Sequence, residues 1–199
     1  MATQKQRSEE TRLKLLNAFR RSFLERGYAA TTMKHVLDQT GLSKGALYHH
    51  FGSKEEIIEA LFEHESRATI DQAMSQADPS ASPLEQLRAA CLEWTRAVRA
   101  PDVSKIIFEI GPSALGARKA KSIEDRNSLS RIESLLDEAI HAGELSAADP
   151  KLIAAFLNAL VAEAGLYDLR TGRDSVPTLA ASIDALFEGL RPKAGPGSL

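Results

Sequence analysis

From residue 8 to residue 26 the apolar side chains Leu13, Leu16, Phe19 and Phe23 recur at three- and four-residue intervals, which places them on one face of a helix. Ser8 reads as its cap, Glu9 and Glu10 occupy the first turn where the helix dipole favours negative charge, and Gly27 ends it. Thr31 and Thr32 offer the N-cap of a short second helix on which Met33, Val36 and Leu37 share a face. Gly41 supplies the turn after it. Ser43 caps a third helix, with Leu47 and Phe51 pointing inward and Lys44, Tyr48 and His49 on other faces. Ser53 and Glu56 have the spacing of a capping box and open a long fourth helix reaching toward Ala77.

After the break at Asp78, Pro79 and Ser80 the pattern stays helical, over residues 83–99, 103–110, 117–142, 150–169 and 176–190, and no alternation of period two competes with it. Pro112 between Gly111 and Gly116 reads as ending one helix and starting the next. The expected fold is therefore all-α with about nine helices: a three-helix N-terminal domain joined by a long fourth helix to a larger helical C-terminal domain. The expected division is residues 1–54, residues 55–191 and a disordered tail, 192–199.

Composition narrows the class. With 199 residues and 43% hydrophobic content the chain can bury a sizeable core, and its single cysteine, Cys91, leaves no partner for an intramolecular disulfide. The apolar segment 152–169 is interrupted by Asn158, Glu163 and Asp168, so it reads as a buried helix and not a membrane span. A cytoplasmic protein with no membrane partner is expected. The net charge of -2 hides an asymmetry: residues 1–54 hold ten lysines and arginines against four carboxylates, and the remainder holds fifteen against twenty-three. Such a split turns only the N-terminal part toward a polyanion.

Two short helices around a glycine turn, inside that basic segment, fit a helix-turn-helix whose second helix enters a major groove. Gly45 and Ala46 keep the start of that helix slim, Lys44, Tyr48, His49 and His50 can reach bases or phosphates, and Thr32 and Ser43 add hydroxyls suited to phosphate oxygens. An ordinary helical hairpin with solvated lysines would have the same periodicity.

The run TTMKHVLDQTGLSKGALYHHFGSKEEI resembles the DNA-binding signature of the TetR family of transcriptional regulators, over roughly residues 10 to 60. The resemblance implies that Lys44, Gly45, Ala46 and His49 meet bases and that Thr32, Ser43, Tyr48, His50 and Lys54 meet phosphates. Two positions depart from the family pattern and bear on the packing of the second helix: His35, where an acidic or neutral polar residue is frequent, and Leu37, where alanine is usual. The resemblance further implies a homodimer, most often a repressor, on a palindromic double-stranded operator, released by a small-molecule effector bound in the C-terminal domain.

Read independently, residues 150–169 carry apolar side chains all round the cylinder, so more than one face needs a cover. A dimer seam is expected at Phe156 and Leu160 with Leu179, Ile183, Leu186, Phe187 and Leu190 of the last helix, as in a four-helix bundle. Phe62, Cys91, Trp94, Phe108, Asn158, Glu163 and Tyr167 are the candidate lining of an effector pocket, an inventory suited to an apolar or aromatic molecule.

No cofactor, metal site or enzymatic activity is expected. The five histidines form no i,i+4 pair, no nucleophile motif is present, and Gly111 to Gly116 lacks the lysine and hydroxyl of a phosphate loop. The rival readings are a sequence-tolerant architectural DNA-binding protein, and a helical carrier or enzyme with an incidental basic head.

Overall fold

The computed structural model describes residues 3–192; residues 193–199 of the expected tail lie outside the described residues. Among the described residues all regular structure is helical: α1 (Gln4–Ala30), α2 (Met33–Thr40), α3 (Lys44–His50), α4 (Lys54–Ser75), α5 (Pro83–Ala97), α6 (Pro101–Ser104), a π-helical turn (Lys105–Ile110), α7 (Gly111–Leu115), α8 (Ala117–His141), α9 (Pro150–Thr171) and α10 (Val176–Gly189). With the run from α6 through α7 taken as one, the described residues hold the nine helices expected.

The chain divides into two compact units, a head formed by the chain up to Glu65 together with Ser104–Ile123, and a body formed by Ser66–Val103 together with the chain from Glu124 onward. These bounds differ from the expected division after residue 54. The reason lies in the first turns of α4, whose Ile57, Ile58 and Leu61 are sealed into the same apolar cluster as Leu15, Leu16, Phe19, Phe23, Val36, Leu47, Phe51 and Ile110.

Within the head, α1 begins earlier than expected. Thr3 accepts from the Gln6 amide while the Gln6 side chain accepts from the Thr3 amide, a complete capping box, so Ser8 is an interior residue. Leu13 lies off the buried stripe and is exposed, and Leu15 takes the inward position. Gly27, at φ 79°, breaks the helix as expected. The Arg20 guanidinium meets the buried Glu65 carboxylate at 2.8 Å, joining α1 to α4. Lys119 of α8 reaches Glu55 at 3.3 Å and Glu59 at 2.9 Å, an exposed pair of contacts of small energetic weight.

The segment around Gly111 also differs from expectation. Gly111 has helical φ and ψ of -59°, so the chain coils through it, and the true break falls at Gly116, with φ 81°. Gly111 is there for closeness: a Cβ on it would stand 2.2 Å from Phe62 Cδ2 and 2.9 Å from the Ile106 carbonyl oxygen.

In the body, α5, α9 and α10 pack on one another. Leu87, Cys91 and Leu92 of α5, Leu135, Leu136 and Ala139 of α8, Ala154, Leu157 and Val161 of α9, and Leu179, Ile183 and Phe187 of α10 form one apolar cluster. The α9–α10 corner is closed by a buried carboxylate: Asp168 Oδ1 accepts from the Ser175 amide at 2.7 Å, and Oδ2 faces Arg99 Nε at 3.9 Å. By length and composition α9 is long and apolar enough to cross a membrane, with a mean hydropathy of 1.5 over its most apolar window. It is not wholly buried as expected: Ala154, Leu157, Val161, Gly165 and Asp168 face inward, whereas Leu152, Phe156, Leu160, Tyr167 and Leu169 are exposed.

Replacing Gly111 with alanine adds a methyl where Phe62 and a backbone carbonyl already stand. Gly111→Ala should therefore lose about 1–3 kcal/mol of stability through overpacking, although alanine is preferred over glycine inside a helix by about 1 kcal/mol. The check is an earlier urea midpoint, and pairing it with Phe62→Leu should cost less than the sum of the two single changes.

Candidate nucleic-acid interface

A seven-residue helix has too few internal hydrogen bonds to stand alone, so α3 depends on what holds it. Leu47 is fully buried, Phe51 nearly so, and both join the head core beside Val36 of α2. The ends are fixed chemically. Thr32 Oγ1 accepts from the His35 amide at 3.2 Å, Gly41 takes the left-handed conformation at φ 66° to stop α2, and Ser43 Oγ accepts from the Ala46 amide at 3.1 Å. Each such cap contributes about 1 kcal/mol. The departures at His35 and Leu37 leave α2 intact, and Leu37 packs against the core.

With Leu47 and Phe51 turned in, the opposite side of α3 faces outward. Lys44, Gly45, Tyr48 and His49 are exposed, as are the capping residues Thr32 and Ser43, while Ala46 and His50 are partly covered. Nothing in the fold demands glycine at 45, since a Cβ there would have only Ser43 Oγ near it, at 3.9 Å. The slimness of that turn is thus free for close approach from outside. Lys44 Nζ stands 5.7 Å from the centre of the Tyr48 ring, a cation–π contact that holds both side chains on the same outer face.

His49 and His50 meet edge to face at 5.1 Å. Desolvation lowers the His50 pKa first, the neighbouring His49 and Arg12 charges lower it further, and Glu9 opposes them. At neutral pH His50 therefore presents an uncharged imidazole, able to donate from one nitrogen and accept at the other.

Lys54, implied by the family resemblance to meet phosphate, is engaged within the chain. Its Nζ donates to the carbonyls of Tyr28 at 2.9 Å and Thr31 at 3.0 Å, with that of Ala29 at 3.5 Å, and it lies 4.3 Å over the Tyr28 ring. Burial, and then Glu55, push the Tyr28 hydroxyl above the usual tyrosine range. The capping box expected at Ser53 is also altered: Ser53 Oγ accepts from the Glu56 amide, but the Glu56 carboxylate accepts from Gly52, one residue before the cap.

Three contributors escaped the reading of the sequence. Arg12 places its guanidinium 5.3 Å from the centre of the Phe51 ring, Lys105 Nζ donates to the Leu24 carbonyl at 2.6 Å, and Thr31 is buried as the C-cap of α1. The Thr31 hydroxyl donates to the Gly27 carbonyl at 2.9 Å and lies 3.0 Å from Ser22 Oγ. The adjacent threonines divide the corner, one closing α1 and the other opening α2. The partners of Arg12 and Lys105 are set by tertiary packing, which no local pattern signals, whereas those of Thr31 lie within nine residues of it.

The residues expected to line a pocket are distributed over both units. Phe62 and Phe108 belong to the head, and Phe62 is packed hard against Gly111. In the body, Cys91 lies in the apolar core, where burial pushes its thiol pKa up to about 12, and Trp94 packs on the same core. Asn158 donates to Asp125 at 3.1 Å. Glu163 is exposed and paired with Arg170, and Tyr167 is exposed, so both stand on the outer face of α9.

The expected seam is likewise divided. Phe156 and Leu160 are 50% and 38% exposed, but Leu179, Ile183 and Phe187 are spent on the body's own core, with Leu186 and Leu190 packed against it. The stripe of α10 is real, and it faces α5 and α9 of the same chain. Helical spacing identifies a face without identifying its partner.

Comparison with known proteins agrees with this geometry. Residues 15–61 match the model for bacterial regulatory proteins of the tetR family, and residues 84–190 match a tetracyclin repressor-like C-terminal domain. The chain is 33% identical over 114 residues to the HTH-type transcriptional repressor KstR2 of Mycobacterium tuberculosis, covering 55% of each, so it spans about half the length of the first curated relatives it matches. It is 30% identical over 144 residues to the uncharacterized HTH-type transcriptional regulator YhgD of Bacillus subtilis, covering 70% of this chain and 74% of that one. A solved TetR-family regulator from Pectobacterium atrosepticum superposes with a TM-score of 0.76 at 29% identity, over 96% of this chain and 99% of the other. The two matched segments, each falling on its own set of helices, together with these relatives, show that the chain belongs to the TetR family of bacterial regulatory proteins.

Proposed function

We propose that this protein is a ligand-responsive transcriptional regulator, a repressor, which binds a palindromic double-stranded operator as a homodimer and is released by a small-molecule effector. The observation that carries the reading is the outer face of α3, where Lys44, Gly45, Tyr48 and His49 stand exposed on a helix anchored from behind by Leu47 and Phe51. Lys44 is the base reader in this account, with Gly45, Ala46 and His49 beside it. Thr32, Ser43, Tyr48 and His50 meet phosphates; the capping hydroxyls accept from the backbone and keep their own protons for an anionic oxygen.

A palindrome requires two heads, and the outer face of α9 supports a second copy as the partner. Leu152, Phe156, Leu160 and Tyr167 follow one another at four- and seven-residue steps, forming a single exposed apolar stripe. Ala181 and Ala185, exposed on α10, let a second helix come close. The seam is thus assigned to the outer surfaces of both helices, in place of the inward stripe of α10.

The effector belongs to the helical body, where Cys91 and Trp94 supply apolar and aromatic surface and Asn158 a polar anchor, a set suited to an apolar or aromatic molecule. It releases DNA only by binding one arrangement of the dimer better than the other; a coupling of about 1–3 kcal/mol corresponds to roughly 5- to 150-fold in operator affinity. Regulation of this kind takes place in the cytoplasm, and the reading assigns no catalytic step and no cofactor to the chain.

Selection of duplexes from a random pool, followed by titration with the full-length protein, should enrich a palindrome. Lys44→Ala should relax the choice at one base pair per half-site, with a discrimination loss of about 1–3 kcal/mol there. Equal weakening on all sequences would recast Lys44 as a phosphate contact, and no enrichment at all would favour the architectural reading. Independently, Phe156→Glu with Leu160→Glu should shift the mass in sedimentation from dimer to monomer and weaken operator binding; an unchanged dimer would place the seam elsewhere.

A further inference from the structure

Where a helix stops, its last carbonyls have no amide one turn ahead to accept from. The break at Gly27 creates that shortage at the point where the head must turn from α1 into α2. The Thr31 amide returns to the Tyr28 carbonyl at 3.3 Å, and the buried Thr31 hydroxyl takes up Gly27. One ammonium serves three carbonyls of the same corner. Lys54 Nζ has three N–H donors and three carbonyls around it, those of Tyr28, Ala29 and Thr31.

The position of Lys54 in the chain gives these bonds their consequence. It is the first residue of α4 and comes four residues after the end of α3. Its carbonyl partners flank the other end of the motif, and Thr31 immediately precedes the cap of α2. One side chain therefore clasps the entry and the exit of the two-helix unit that carries Lys44, Tyr48 and His49. The Tyr28 ring beneath the ammonium shields the clasp on one side.

We propose that Lys54 is a positioning residue of the DNA-reading surface: it fixes the angle at which α2 leaves α1, and so the presentation of α3, without itself touching phosphate. A phosphate contact would draw the ammonium away from carbonyls that have no other side-chain donor among the bonds described. The proposal rests on the DNA-binding reading above, and its test includes an arm that does not depend on DNA.

The test compares full-length wild type with Lys54→Met, which keeps the aliphatic stem and removes the donors, and Lys54→Arg, whose guanidinium can serve two carbonyls. In the free protein, Lys54→Met should speed amide exchange at His35 and Val36, the first amides bonded to the Thr32 cap, by tenfold or more. On the selected operator its affinity should fall at least tenfold while the slope of log K against log salt stays that of wild type, and Lys54→Arg should recover much of the loss. A slope shallower by about 0.9 per lost phosphate contact, or about 1.8 for two heads, would show that Lys54 binds phosphate and overturn the proposal. Unchanged affinity with only a lower melting temperature would reduce Lys54 to a structural role and overturn it as well. Should Lys54→Met not fold, Lys54→Leu, which also lacks donors, carries the same comparison. If wild type binds no DNA, the DNA-binding reading fails by itself, and unchanged exchange in the variant would still refute the clasp.

Discussion

The constraint on which the head depends is the termination of α1. A helix that runs from Gln4 must stop at Gly27, reverse within a few residues, and leave no buried carbonyl without a donor. Glycine permits the turn, and the donors that satisfy it are partly local, from Thr31, and partly from distant parts of the chain. The corner is held from inside by Thr31 and Ser22 and from outside by Lys54, while Lys105 of the π-helical turn takes the Leu24 carbonyl one turn earlier. Backbone demand at one helix end thus draws together α1, α2, α4 and a segment about eighty residues further on.

From that corner the division of labour in α3 follows. Burying Leu47 and Phe51 contributes about 1.5–3 kcal/mol each, which is what allows a helix of seven residues to persist while its other side stays polar. The residues that fold the element and the residues that face outward are different residues. Variation in Lys44, Tyr48 or His49 can change what the surface recognises and leave the core of the head untouched. The body follows a different logic, since α9 is apolar on both sides and only one side is covered within the chain.

Local chemistry was legible in the sequence. Thr32, Gly41 and Ser43 act as expected because a cap or a left-handed turn is decided by residues within three or four positions of one another. What escaped was decided at a distance. The stripe of Leu179, Ile183 and Phe187 was recognisable as a buried face, but periodicity could not say whether α5 and α9 or a second chain would bury it. Gly111 and Pro112 looked like a helix boundary, since glycine followed by proline usually is one; the Phe62 ring at Gly111 shows instead a close approach, with proline tolerated in the first turn of the next helical segment. The contacts of Lys54 were illegible for a third reason: its partners are main-chain carbonyls, which carry no side-chain identity that a sequence could display.

The head is not an N-terminal fragment. Ile110 lies in the same cluster as Phe19 and Leu47, Ala114 and Leu115 pack against that cluster, and the first two turns of α4 add Ile57, Ile58 and Leu61. A chimaera joined after α3, to graft this recognition surface onto another regulator, would strip away a large share of that cluster and sever the lysine that ties α4 to the α1 corner. A transplant of the intact head therefore has to carry two stretches of chain, up to Glu65 and from Ser104 to Ile123, whereas point changes on the outer face of α3 need no crossover at all. The second route disturbs nothing that the fold requires, because the outward side chains of this short helix take no part in the core of the head.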